Sequence, residues 1–210
     1  MIVAVDGPAA SGKGTLARRL AGHFKLAHLD TGTLYRIVAL QALAQGDPGD
    51  AAIAENAART LDLSLLEDAR LREERIAEAA SVVAAVPAVR AALLDFQRDF
   101  AHRRGGAVLD GRDIGTVVCP DADAKIFLTA SPEARAERRT RELRAPEGGS
   151  IYQRVLADLV ARDVRDRNRR AAPMVPADDA IVIDTSTLDA DAVFKAAIAA
   201  IALRPAGKER

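Results

Sequence analysis

One cysteine, Cys119, stands in 210 residues, so no disulfide can close within the chain and no thiolate cluster can hold a metal. It lies in the apolar run TVVCP and is expected in the core. An excess of one charge is also missing: 30 basic side chains balance 30 acidic ones, which removes any global attraction to nucleic acid or a membrane surface, and neither partner is expected. No apolar stretch reaches transmembrane length, and the N-terminus runs straight into a strand pattern instead of a signal peptide; a cytoplasmic location is expected. His23, His28 and His102 have no metal-ligand spacing and no carboxylate partner at a useful interval, so they read as structural or surface residues. Internal repeats and low-complexity segments are absent too.

What remains is a chain with 49% hydrophobic residues, enough for one core domain. Short β-leaning runs recur at Ile2 to Val5, Leu26 to Leu29, Ala107 to Leu109, Ala124 to Leu128 and Ala180 to Ile183. Helical patterns alternate with them at Gly12 to Phe24, Leu34 to Ala44, Arg75 to Arg103, Pro132 to Leu143, Ile151 to Arg169 and Asp189 to Ala202. This order predicts an α/β fold with a five-stranded parallel sheet flanked by helices. Ligands of such sheets lie at the carboxyl ends of the strands, and the distinctive motifs fall there. The stretch Gln45 to Glu74 is mixed, with a possible short strand at Leu61 to Leu65, and reads as an insertion leading into a long helix. RAPEGGS, at Arg144 to Ser150, reads either as the joint of a lid or as an ordinary helix–helix turn.

The first motif is GPAASGKGT, Gly7 to Thr15, between the first strand and the first helix. Glycines let the backbone wrap a phosphate, successive N–H groups point inward, the helix offers its positive end, and Lys13 adds a mobile charge. The spacing is that of a Walker A loop, with Gly14 inserted before the hydroxyl of Thr15, and it points to a bound nucleoside triphosphate. After the second strand, DTGTLYR places Thr31, Tyr35 and Arg36 on the first turns of a helix aimed at the strand ends, where Asp30 or Thr31 can also cap the helix. The third strand ends in DGRDIG. Asp110 there is a candidate for Mg²⁺ or its water shell, while Arg112 and Asp113 either face the cleft or pair locally. From Ser131 to Arg170 there are 11 arginines against 7 acidic residues, which favours forked recognition of phosphate over diffuse attraction. Within it Arg162, Asp166 and Arg169 share one helical face, as a ligand-binding set or as a solvent-exposed ion-pair lattice.

Together these segments resemble the bacterial cytidylate kinases, in the nucleoside monophosphate kinase branch of the phosphate-loop proteins. The strings are GPAASGKGT, DTGTLYR, ASVVAAVPAVR, DGRDIGTVVCPDADAKIFLTAS and RDVRDRNRRAAPMVP, and they cover nearly the whole chain. The resemblance implies a single domain with its core at 1–44 and 104–210, a nucleotide-binding insertion with a long helix at 45–103, and a helical lid at 138–165. It implies reversible transfer of the γ-phosphoryl group of Mg²⁺·ATP to CMP or dCMP by a monomer. Gly7, Pro8, Ala9, Ala10, Ser11, Gly12, Lys13, Gly14 and Thr15 would hold the ATP phosphates. The CMP phosphate would meet Arg36, Arg112 and Arg169, its sugar Thr31, Arg162 and Asp166, and its cytosine Ser81, Arg90 and Asp113, with Tyr35 packed nearby. Lys13, Arg36, Arg112, Arg169 and the lid arginines Arg138 or Arg139 would charge-stabilise the transferring group. The chain departs from the family at Thr31, where serine is usual, at Val164, where an acid is usual, and in a short segment between Leu61 and Ser81. Two other readings stay open: a kinase for AMP, UMP or shikimate, and a nucleotide-binding regulatory module that has lost transfer.

Overall fold

Residues Ile2–Asp6 form β1, and all five are buried because both faces of this strand are covered. Alternation along the strand sends Val3 and Val5 to one apolar layer and Ile2 and Ala4 to the other. A computed structural model describes residues 1–143 and 149–202. After β1 come α1 (Lys13–Phe24), β2 (Ala27–Asp30), α2 (Thr31–Gln45), α3 (Ala51–Arg59), α4 (Glu74–Val83), α5 (Pro87–Ala101) and β3 (Ala107–Gly111). β4 (Ala124–Thr129), α6 (Pro132–Glu142), α7 (Gly149–Asn168), β5 (Ile181–Asp184) and α8 (Ala190–Ala202) complete the order. The strands form one parallel sheet ordered β2-β3-β1-β4-β5, as the alternating pattern predicts.

That order puts a topological switch beside β1. The chain fills one side of it with β2 and β3 and then crosses to β4, so the crevice at the carboxyl end of β1 is the natural ligand position. Leu16, Ala17 and Leu20 of α1 and Val193 and Ala197 of α8 cover the Val3/Val5 face. Helices α2 to α5 cover the other face, around Leu34, Ile37, Ile76 and Leu93. Helices α6 and α7 pair with each other over a small cluster of their own, Ala136, Val155 and Leu159. Cys119 is buried, as expected.

Two expectations for the insertion need correction. The long helix at 75–103 is two helices, α4 and α5, bent by 99° at their junction. Pro87 is the cause: it starts α5 and drives Val86 to an extended φ −79°, ψ 116°. The strand at Leu61 to Leu65 is a 3-10 turn over Leu63–Glu67, because the Asp62 carboxylate accepts the Ser64 N–H at 2.9 Å and closes the backbone locally. The mixed stretch also holds α3, capped by Asp50, whose Oδ1 accepts from Ala52 N–H at 2.8 Å. Among the described residues the insertion contains no strand at all. Of the proposed joint, residues 144–148 lie outside the described part. No single described helix is long and apolar enough to cross a membrane.

Candidate functional site

The loop between β1 and α1 is bent by three left-handed or near-left-handed residues, Gly7 (φ 145°), Ala10 (φ 58°) and Gly12 (φ 92°). At Gly7 a side chain is excluded twice, by that φ and by collision with the Leu128 carbonyl of β4. Ala9, Ala10, Gly12, Lys13, Gly14 and Thr15 floor a cleft of about 430 Å³, while Gly7, Pro8 and Ser11 lie behind them as its buried support. Lys13 is buried, and its Nζ donates to the Pro8 carbonyl at 2.8 Å. Burial, followed by the nearby Arg112 guanidinium, lowers its pKa to about 7 against the pull of Asp110 and Asp30.

A second, smaller cavity of about 50 Å³ opens beside the first, and Gly32, Gly111, Arg112 and Arg162 line both. Thr31 and Tyr35 of α2, Ser81 of α4, Arg90 of α5, Arg112 and Asp113 after β3, and Arg162, Asp166 and Arg169 of α7 and its end all line this second cavity. Nine of the ten candidate acceptor residues therefore converge there. The tenth, Arg36, lines the first cavity. The charges of this cavity pair with one another. Arg112 Nε donates to Asp166 Oδ2 at 2.9 Å, and Arg90 Nη2 makes a short bond to Asp113 while its guanidinium lies 5.4 Å from the Tyr35 ring centre. This pairing is incomplete: Arg162 Nε and Arg169 Nη2 are buried without a partner among the described residues. Burial and then Arg112 lower the pKa of Arg162 to about 10, and burial and then Arg90 lower that of Arg169. Asp166 is lowered despite its burial because Arg112, Arg162 and Arg169 surround it. Guanidinium groups arranged in this way can grip a phosphate.

Thr31 Oγ1 donates to the Asp110 carbonyl at 2.8 Å, so the hydroxyl joins α2 to β3. Asp110 Oδ1 bonds to His28 Nε2 at 2.7 Å, a carboxylate partner that sequence spacing did not reveal because it comes from the neighbouring strand. Asp6 was not singled out in the sequence either. Its two oxygens accept the Ile114 and Gly115 N–H groups, each at 2.8 Å, and burial pushes its pKa up to about 7 against those two bonds. The signal was an aspartate ending an otherwise apolar strand. The two lid candidates separate. Arg139 lines the large cavity and bonds Glu74 Oε2 at 2.5 Å, whereas Arg138 turns away and bonds the Thr185 hydroxyl at 3.0 Å and its carbonyl. Arg18 and Arg165 also line the large cavity, two positions the sequence did not mark. Val164 is exposed, away from the cavities.

The family model described as cytidylate kinase matches residues 3–203. A cytidylate kinase of Methylocella silvestris is 62% identical over 94% of this chain and 92% of its own length. That of Methylobacterium sp. is 63% identical over 99% and 100%, and that of Xanthobacter autotrophicus 59% over 99% and 100%. Among solved structures, an uncharacterized protein from Eubacterium ventriosum superposes with a TM-score of 0.56 at 16% identity, covering 97% of this chain and 99% of its own, a likeness of fold alone.

Proposed function

The chain belongs to the cytidylate kinase family, ATP-dependent phosphotransferases, and from that premise we propose how its own residues divide the transfer of a phosphoryl group from ATP to CMP or dCMP. The observation that carries the proposal is that the two cavities, one floored by the phosphate loop and the other lined by the acceptor set, share Arg112 and Arg162 in their walls. A nucleotide on each side would bring its phosphates together at those two arginines.

No covalent enzyme intermediate is needed. Two polyanions have to be held in line, and positive charge has to meet the oxygens of the transferring group. Lys13 holds the outer phosphates of ATP, and Arg36 and Arg139 approach from the α2 and α6 sides of the same cavity. Arg112 and Arg169 grip the acceptor phosphate, while Arg162 and Asp166 meet the sugar. On this reading Arg138 serves the fold, through Thr185, and Arg139 is the arginine that reaches the reaction. Helices α6 and α7, the described parts of the expected lid, would close over the nucleotides and keep water from the γ-phosphate.

Arg90 and Asp113 stay paired and together read the base. The Asp113 carboxylate accepts from the exocyclic amino group of cytosine and repels the carbonyl of uracil, and Arg90 donates to the ring carbonyl. An unpaired buried carboxylate costs about 1–3 kcal/mol, a preference of roughly ten- to hundredfold. Among the described residues no three acidic, histidine or cysteine side chains gather as a metal cage. Asp110 Oδ2 faces Gly14 of the loop while its other oxygen is held by His28, which suits Mg²⁺ carried mainly by phosphate and water. When bound, that ion neutralises charge on the β- and γ-phosphates.

The test is a coupled assay of ADP release across CMP, dCMP, UMP and AMP. CMP and dCMP are expected to turn over, with UMP poorer by roughly ten- to hundredfold. AMP or UMP used as well as CMP would sink this reading of the base pocket.

A further inference from the structure

Arg135, on the first turn of α6, is the largest fully buried side chain among the described residues, at 1% exposure. An arginine is buried this far only when its guanidinium is fully engaged, and here it joins three separate elements. Its Nε donates to the Ala130 carbonyl at the end of β4 at 3.1 Å, and its Nη1 to the Ala9 carbonyl of the phosphate loop at 3.3 Å. The fork then closes on Asp163 of α7, with Nη1 to Oδ1 at 3.2 Å and Nη2 to Oδ2 at 2.6 Å. Asp163 is itself only 3% exposed. Neither residue lines either cavity.

The geometry points to Arg135 and Asp163 as positioning residues that couple the donor loop to the acceptor helix. A trans peptide sets its C=O and N–H in opposite directions. Holding the Ala9 carbonyl toward Arg135 therefore turns the Ala10 N–H the other way, toward the cleft that Ala9 and Ala10 line. The left-handed Ala10 belongs to the same bend. Ala9 also packs on the α6–α7 cluster of Ala136, Val155 and Leu159, so one residue of the loop is held to the hairpin by both a hydrogen bond and an apolar contact. At the other end Asp163 is flanked on α7 by Arg162 and followed by Asp166, two of the acceptor groups. A triphosphate that shifts the loop moves Ala9, Ala9 moves Arg135, and the rigid fork carries the displacement to α7. Lysine, a point charge with no fork, cannot make these contacts together.

This inference rests on the phosphate loop being the donor site. Its test uses the full chain with Arg135→Lys, which keeps the charge and loses the fork, and Asp163→Glu, which keeps the charge and lengthens the arm. CMP is titrated with and without a non-hydrolysable ATP analogue, beside steady-state kinetics and thermal melting. The parent is expected to show donor–acceptor coupling, in the range of about 5- to 150-fold typical of linked sites, and both variants to bring that factor toward one. Both should also lose about tenfold or more in kcat, and Arg135→Lys should bind the analogue more weakly. A parent without coupling overturns the idea. So do variants that melt lower yet keep the parent's kcat, analogue affinity and coupling, which is the pattern of mere structural support. If Arg135→Lys does not fold, Asp163→Glu decides by the same readings. A Lys13→Ala control that binds the analogue like the parent would instead refute the donor-site assignment.

Discussion

Lys13 holds its charge where charge is costly. Burial and Arg112 bring its pKa to about 7, whereas a polyphosphate beside it would raise that value again. Below pH 7 the free lysine is already protonated, so binding takes up little; above it, each bound ATP must bring a proton to Lys13, and affinity falls as pH rises through that window. Calorimetry at pH 8 in buffers of different ionisation enthalpy is expected to show proton uptake on ATP binding. Lys13→Met should abolish the uptake and lower turnover by about a hundredfold or more, the scale of one lost transition-state donor. Equal uptake in the variant would clear Lys13 of the role. At this scale the sequence was legible where partners are close in sequence. Loop spacing identified Lys13, and helical spacing grouped Arg162, Asp166 and Arg169. His28 on Asp110, the Asp6 carboxylate on Ile114 and Gly115, and Asp163 on Arg135 were not legible, since each pair is separated by 28 residues or more in the chain. Arg138 and Arg139 differ by 100° around a helix, and only the packing of α6 decides which one sees the cleft.

The break between α4 and α5 shows an element deciding a site. Ser81 and Arg90, nine residues apart, would lie about 13 Å from each other along one straight helix. Bent by 99° at Pro87, the two helices instead direct both residues to the same small cavity. The sequence contained Pro87, yet a strongly periodic apolar pattern on both sides of it read as one helix. Helices α6 and α7 pack on each other over a small apolar cluster of their own, Ala136, Val155 and Leu159. Leu159→Ala is expected to cost about 2–3 kcal/mol locally. Hydrogen exchange should then quicken across α6 and α7 while the amides of β1, β3 and β4 keep the parent's protection. Uniform acceleration over the sheet would mean that the hairpin is not a separable unit.

Over the whole molecule, the balance of charge is repeated in the cleft. Lys13, Arg18, Arg36, Arg112, Arg139, Arg162 and Arg165 line the larger cavity beside Asp30, Glu74, Glu78, Asp110, Glu142 and Asp158, in a chain whose formal net charge is zero. A polyphosphate bound there would draw on the cations of this mixed lining. CMP and an ATP analogue together should raise the melting temperature, and at about 100 times its Kd one ligand adds about 2.7 kcal/mol. The gain should shrink as salt rises. A gain independent of salt would show that the cleft's cations do not carry the binding. By itself the sequence determined the alternating strands and helices of a parallel sheet and the phosphate loop after its first strand, because strand and helix periodicity and glycine turns are local rules, while the acceptor set came from the resemblance of whole motifs. Only the tertiary structure decided which arginine of α6 enters the cleft, that the insertion is helical, and that Arg135 ties the loop to α7. Those outcomes depend on side-chain packing and on pairings between residues far apart in the chain, which no local rule contains.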